Sequence, residues 1–437
     1  MGIPTVAIVS KRFAEDAKKS AAIFGCSSFP FAIVPDVLTG IGPEEIKSQV
    51  EGVFDLITES LTSRSIGQDT DTSTSKARVQ PAIMEKFEGA DLLESFHNMN
   101  KIFLDRGWGD GFPLIPPMVK AVDQMLTGTS RKRQEVVAVL APGNGLATVE
   151  KIAINAVMAG CSSEHLPILI STCEAIAAPE FPLRNLCMST SAFGILLVVN
   201  GPIAKKIGMN SGQCAMVPGA PSRVNVAIGR AMRLILLNIG HAYPQVMDMS
   251  TIGSPRKNGM CIAENEEANP WEPFHVEKGY DSQASTVSVF GAGSDITVAD
   301  LYSYTSEGVL NTFTGRFNAD LLHFLGARKE LRLVGHAHIL MSPDHAKILA
   351  GDGWSKETVK THLFENARIP AKRFKEQRKH NARLVDPEWM WAFDAADDLL
   401  LPVVESPDQF DIVVVGGEAG ISLLILDICG PVIREIK

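Results

Sequence analysis

The sequence predicts an α/β protein in which a small, incomplete parallel-sheet unit precedes a larger mixed α/β region. Three features predict this. Short apolar runs rich in β-branched residues, at Thr5–Ser10 and Phe31–Val34, alternate with helical patterns. A stretch crowded with Ser, Thr and Asp then interrupts the apolar pattern over residues 64–82. Beyond it, buried-strand runs such as Ile195–Val199 and Ile412–Val415 recur among apolar helices.

The 437 residues carry 41 basic and 50 acidic side chains, a formal charge of −9, with 45% hydrophobic and 21% charged residues. That balance is globular and excludes a disordered, collagenous or membrane-spanning chain. At roughly 100–200 residues per domain, two to four domains are expected. An acidic chain argues against DNA or RNA as the main partner, because phosphate binding needs a basic stripe. No apolar run reaches the roughly 18–20 residues of a bilayer span. Met1–Val6 has neither a secretory leader pattern nor an acylation signal, so the expected location is the cytoplasm. The seven cysteines (Cys26, Cys161, Cys173, Cys187, Cys214, Cys261 and Cys429) form no Cys-x-x-Cys pair and read as free thiols.

In the first unit, Thr5–Ser10 is a buried parallel strand, Lys11–Phe24 a helix, and Phe31–Val34 a second strand stopped by Pro35. Pro43, Glu44 and Glu45 open another helix, along which Ile46, Val50, Phe54, Ile57 and Leu61 recur every three or four residues. Two parallel strands with two helices, in a flavodoxin-like order, cannot cover both faces of a sheet or satisfy its edges. More strands must come from later in the chain or from another polypeptide.

Gly2-Ile3-Pro4-Thr5-Val6, the helix bearing Phe13 and Ala17, Val34-Pro35 with Leu38, and the Glu44-Glu45-Ile46 helix resemble the second half of the UGSC-like domain. That family is named for a selenocysteine-or-cysteine, Gly, Ser, Cys motif just upstream of the strand that begins Gly-Ile-Pro-Thr. Here Met1 directly precedes Gly2, so the motif maps onto no residue, and Gly25-Cys26-Ser27-Ser28 follows the first helix instead. The resemblance implies that the missing strands and the reactive cysteine sit on a separate small subunit, this chain being half of a split enzyme.

The domains expected are therefore 1–63, the partial UGSC-like unit; 64–82, a flexible linker; and 83–437, a catalytic or substrate-binding region open to subdivision near residue 295. Phe87, Leu92, Leu93, Phe96, Met99, Ile102 and Phe103 predict a helix over Met84–Asp105. The Gly- and Pro-rich stretch that follows, to Pro117, is either a rigid site loop with Asp110 as its acid or a linking turn anchored by Trp108. Thr148 caps a helix that ends at Gly160. The helix Ser222–Asn238 is apolar nearly all round, yet Arg223, Arg230, Arg233 and Asn238 share a sector of roughly 140°. Buried charges of this kind pair with carboxylates or with an anionic substrate, and internal pairing is favoured.

The densest polar stretch runs from Cys261 to His275 and holds Glu264, Glu266, Glu267, Glu272, Trp271 and Phe274, with Asp248 shortly before it. Neighbouring carboxylates raise one another's pKa and can poise a general acid or base near neutrality, although the same residues would also suit a solvated turn. Cys261, Glu264 and His275 are metal-ligand types without a standard ligand spacing. Farther on, His336 and His338 share one face of a strand over Leu331–Met341. Ser342-Pro343-Asp344-His345 has the form of a helix start, with His345 held neutral by the dipole as a base or electrophile requires. Gly416–Gly420 lacks the dinucleotide glycine spacing and reads as a tight turn or small-anion nest before a strand at Ile421–Leu424.

Asp110-Gly111 with Pro116-Pro117, Thr148 to Cys161, Val199 to Ala204, Asn210-Ser211-Gly212, Cys261 to His275 and Ser342 to His345 are similar to the large region that accompanies UGSC-like domains in bacterial proteins. The expectation is a subunit of a thiol-dependent oxidoreductase or lyase acting on a small polar or anionic organic molecule, its reactive cysteine on a partner subunit. Catalytic candidates are Glu264, Glu266, His275, Asp110, Cys261 and His345. Substrate-binding candidates are Arg223, Arg230, Asn200, Asn210, Ser211 and Trp271. The alternatives are a metal-dependent hydrolase or hydratase using carboxylate and His ligands of this chain, or a non-catalytic stabilising subunit. Neither a cofactor nor a particular metal is indicated, and neither nucleic acid nor membrane is an expected partner.

Overall fold

The computed structural model describes residues 4–23, 26–35, 42–62, 83–320, 326, 335–380 and 382–437. The expected linker, the Gly25 and Leu38 positions, and residues 331–334 of the expected histidine strand lie outside them.

Strand β1 (Ala7–Ser10) and strand β2 (Phe31–Val34) pair in parallel across helix α1 (Ala14–Ile23), the crossover that parallel pairing requires. The single helix expected after Pro43 is instead two, α2 (Pro43–Glu51) and α3 (Phe54–Thr62), divided at Gly52-Val53. Glycine weakens a helix interior by about 1 kcal/mol, and neither segment buries a residue that could hold the two in line. No other described strand joins β1 or β2. Ile8, Phe13, Ile33, Phe54 and Leu56 stay exposed. A two-stranded sheet is marginal by itself. This one leans on the larger region through Ser20, whose hydroxyl donates to the Val246 carbonyl at 3.1 Å beside Met247.

The helix expected from Met84 begins only at α4 (Leu92–Asp105), because Asp91 accepts the Glu94 N–H and caps it there. Helix α5 (Val119–Leu126) and the hairpin β3 (Val136–Leu140) and β4 (Gly145–Thr148) follow. Helix α6 (Val149–Ala159) starts on the Thr148 cap and stops at Gly160 with φ 88°, as the sequence predicts. Helices α7 (Leu166–Ile176) and α8 (Leu183–Met188) lead into β5 (Gly194–Asn200), α9 (Pro202–Lys206), α10 (Arg223–Asn238), β6 (Met260–Ala263), α11 (Phe274–Glu277) and β7 (Thr286–Ala292). The chain continues through β8 (Ile296–Ala299), α12 (Ser306–Asp320), β9 (His336–Met341), α13 (Pro343–Gly351) and α14 (Lys356–Asn366). It closes with β10 (Arg368–Pro370), α15 (Ala371–Arg378), β11 (Leu400–Pro402), β12 (Phe410–Val414), β13 (Ile421–Asp427) and β14 (Val432–Glu435).

The two larger sheets run β14-β7-β5-β6 and β12-β9-β13-β8. Each has a central antiparallel pair, β7 with β5 or β13 with β9. Each adds a parallel neighbour, β6 or β12, and an antiparallel outer strand, β14 or β8. The two sheets are thus one pattern used twice, with the outer strands exchanged. β8 follows β7 in the chain but joins the second sheet, and β14 follows β13 but returns to the first. The chain crosses between sheets just beyond residue 295, so each half of the region completes the other.

Strand alternation sorts the side chains into layers. Leu197, Val199, Val287 and Val289 pack with α6, α7 and α10. Ala337, Ile339, Ile412 and Val414 pack with α12, α13 and α14. Leu196, Val198, Phe290, Leu340, Val413 and Ile425 meet between the sheets. The result is a mixed α/β body of four layers, helix, sheet, sheet and helix. No described helix is long and apolar enough to cross a membrane.

Candidate active site at the ends of two parallel strands

Strands β5 and β6 lie side by side in parallel, Leu196 opposite Met260, and finish together. Asn200 is the last residue of β5, and Glu264 follows β6 immediately. Ligands of α/β sheets collect outside such carboxyl ends. The Asn200 amide Nδ2 donates to Glu264 Oε2 at 2.5 Å and to Glu266 Oε1 at 2.9 Å, and the Gly201 N–H adds a third bond to Glu266 Oε1 at 2.8 Å. Glu264 also accepts from Asn269 Nδ2 at 2.9 Å and from the Phe274 N–H at 2.7 Å. Burial pushes the Glu264 carboxyl above its usual range, against the pull of the Lys356 charge and the Phe274 and Asn200 donors. With both oxygens occupied, Glu264 positions its neighbours. Glu266 keeps 31% of its side chain exposed and is the carboxylate a solute can reach.

His275, on α11, is completely buried, with Nδ1 3.8 Å from Glu266 Oε1. Among the described residues, neither of its ring nitrogens has a hydrogen-bond partner. Nor do the buried Asn200 Oδ1 and the hydroxyls of Thr286 and Ser288. Thr286 stands directly opposite Asn200 in the β5–β7 register, and Ser288 lies two residues farther along the same face. Because buried polar groups are nearly always paired, this cluster offers polar atoms that a water or a polar solute would satisfy. Two carboxylates fix the Asn200 NH2, which leaves its Oδ1 to accept from such a molecule. The Glu266 carboxylate beside the imidazole is suited to moving a proton. Lys356 braces the rim by donating to the Glu272 carbonyl at 2.9 Å, and with Lys360 it clamps Glu277.

The other predicted residues are placed differently. Trp271 braces the same turn, its N–H on Asn269 Oδ1 at 3.0 Å and its indole on the Trp354 carbonyl at 2.7 Å. Cys261 lies on the helix-facing side of β6, packed in the α6, α7 and α10 core, so alternation turns it away from Glu264's partners. Burial also drives its thiol upward, which disfavours the thiolate that a nucleophile or ligand needs. His345 is buried with Nε2 3.1 Å from the Asp300 carbonyl and Nδ1 2.8 Å from Ser422 Oγ, so both ring nitrogens are taken up by packing contacts within the fold. Asp110 is held by Arg230 through two bonds of 2.6 and 2.9 Å, and Arg230 also reaches the Phe112 and Pro113 carbonyls, so this pair is internal. Arg223 opens α10 and is exposed. Asn210 organises its own loop through Gly212, Ser222 and Asn225. The Ser211 carbonyl receives the Gly416 N–H at 2.8 Å, which seats this loop on the glycine turn after β12. Asn265 ties that turn to the site by donating to the Gly416 carbonyl at 3.1 Å.

Among the described residues, no three His, Cys, Asp or Glu side chains are arranged to hold a metal ion. Burial raises the thiols of Cys161 and Cys187 to about 12 and those of Cys173 and Cys429 still higher, while Cys26 and Cys214 are exposed. A second buried charged group lies between the sheets. His338 Nδ1 is 3.0 Å from Asp411 Oδ2 and Nε2 is 3.1 Å from Asp427 Oδ2, while Lys278 Nζ reaches Asp411 Oδ1 at 2.7 Å. Burial alone lowers the His338 pKa, but the two carboxylates outweigh it and push it up to about 9. Asp411 falls below the usual carboxylate range despite its burial, because His338 and Lys278 flank it. Asp427 also accepts the Gly291 N–H of β7 at 2.6 Å, so this group bolts one sheet to the other.

Fold and site together define a four-layer α/β protein with an acid-base candidate site and an appended parallel unit that no other described strand joins. That unit, residues 1–63, matches the model of the UGSC family, and this segment of the chain is UGSC-like. No curated protein and no solved structure matches the chain.

Proposed function

We propose that this chain is a subunit of an enzyme acting on a small polar or anionic organic molecule by proton transfer, in an elimination or addition. Glu266 and His275 handle the proton, and Asn200 orients the substrate. The observation that carries this reading is the buried His275 ring, without a hydrogen-bond partner and 3.8 Å from a solvent-reaching carboxylate. A second polypeptide that completes the β1–β2 sheet belongs to the same proposal. It is supported by the UGSC-like segment and by a two-stranded sheet that no other described strand joins.

Geometry favours the elimination form over a direct thiol redox step. The β1–β2 unit docks through Ser20 on Val246, in the loop whose Ser250 and Thr251 bond to Ser191 and Thr190 just before β5 begins. Asn200 and Glu264 stand at the opposite end of that strand, about 20 Å away at roughly 3.3 Å per residue. A thiol on a sheet completed at the docking end is thus remote from Glu266.

The test is purification with whatever binds the native chain, followed by incubation with small hydroxy-, amino- and thio-carboxylic acids in D2O. Deuterium exchange at a C–H bond, read by NMR, is expected and should fall by about 10²–10⁴-fold in Glu266→Gln and His275→Gln. Exchange unchanged in both folded variants rejects these roles.

A further inference from the structure

A separate cluster lies at the other end of β5, beside the docked first unit. Arg233, on α10, keeps only 12% of its side chain exposed, yet its nearest carboxylate oxygen, Asp248 Oδ2, is 4.0 Å away. No hydrogen bond from its guanidinium reaches an acceptor among the described residues. Lys257 Nζ at 2.6 Å and the Ser250 hydroxyl at 2.8 Å both engage Asp248 Oδ1, leaving Oδ2 to face Arg233, so one carboxylate is shared by two cations. The other acid in the neighbourhood, Asp110, is taken by Arg230. Three cations (Arg230, Arg233 and Lys257) thus face two carboxylates, leaving one positive charge in a mostly buried setting. Burial accordingly drags the Arg233 pKa below its usual value. Isolated buried charge is costly, and a guanidinium offers five N–H donors that want acceptors.

A small, partly open cavity of about 30 Å³ adjoins these groups, lined by Arg233, Lys257, Asp248 and Cys187 and walled by Phe193 and Met232. Beside a surplus of one positive charge, that space accepts a halide or a single carboxylate group. We propose that Arg233 and Lys257 hold a monovalent anion there, a halide or the carboxylate end of a small molecule. The anion supplies the missing negative charge and the acceptors that Arg233 lacks. This site lies apart from Glu266 and His275 and does not depend on the function proposed for them.

The direct test is anomalous diffraction from crystals of the whole protein soaked in sodium bromide. A bromide peak within hydrogen-bonding distance of the Arg233 guanidinium is expected. Displacement of that peak by formate would assign the site to a carboxylate, and its persistence to a halide. In solution, bromide and formate should raise the melting temperature by a few degrees over sodium gluconate at equal ionic strength, a difference lost in Arg233→Met. A cavity without bromide, together with equal melting in bromide, formate and gluconate for the native protein, would overturn the proposal without reference to any variant.

Discussion

The His275 ring stands 3.8 Å from Glu266 Oε1 with both nitrogens buried and unpaired. Leaving a buried donor or acceptor unmade costs about 1–3 kcal/mol, so a protein selected for stability alone would carry an apolar residue at this position. His275→Leu should therefore raise the urea midpoint, by about 1 kcal/mol of stability, while removing the deuterium-exchange activity. A destabilised His275→Leu protein would show that ordered water already satisfies the ring.

The His338 group sets a pH window. Its folded pKa of about 9 lies above the ordinary histidine value near 6.5. The stability it adds is present in full below about 6.5 and disappears as pH climbs through 9. Asp411 runs the other way, its pKa depressed, so its contribution holds above about 3.9 and is lost as pH falls. Urea midpoints should be highest between roughly pH 4 and 6.5 and decline toward pH 9. His338→Gln should flatten that alkaline decline. Asp411→Asn, which breaks a buried pair, should cost about 3–5 kcal/mol.

The first unit makes a different prediction. Ile8 and Ile33 are 48% and 38% exposed on a sheet with no further described strand. Open edges leave amides without partners and invite strand addition. In the chain alone, β1 and β2 amides should exchange with deuterium far faster than those of β5 and β7, and they should slow markedly in a complex with the proposed partner. Ile8→Lys with Ile33→Lys should abolish copurification of that partner while leaving the melting of the large region unchanged.

Local signals in the sequence were reliable where the structure is local. The Thr148 cap and the Gly160 stop delimit α6 because both act within one turn. The 43–61 pattern misled because its apolar spacing runs on across Gly52, where the backbone breaks. Asn200 was recognisable at the end of a strand, and Glu264 and Glu266 only as part of a dense polar stretch, because their meeting depends on a parallel pairing between segments some 64 residues apart. Thr286 and Ser288 joined the site only through the β5–β7 register, which no local pattern reports. The exchange of β8 and β14 left no trace either, since a strand's own residues do not say which sheet receives it.

Asp110 and Arg230 provide the last prediction, because their two-pronged pairing accounts for both without catalysis. Arg230 holds the Gly- and Pro-rich loop by its acid and by the carbonyls of Phe112 and Pro113. Asp110→Asn should release that loop, cost about 2 kcal/mol because Arg230 is partly solvated and so falls short of a fully buried break, and open the chain to chymotryptic cleavage after Trp108. The double variant Asp110→Leu with Arg230→Met removes both charges together, and it should recover most of the lost stability, since an apolar pair of similar volume often replaces an ion pair without penalty. Melting temperature measures the recovery, and deuterium exchange measures function in the same sample. Activity retained in the double variant fits a loop clamp, whereas a catalytic Asp110 requires its loss even when the fold is restored.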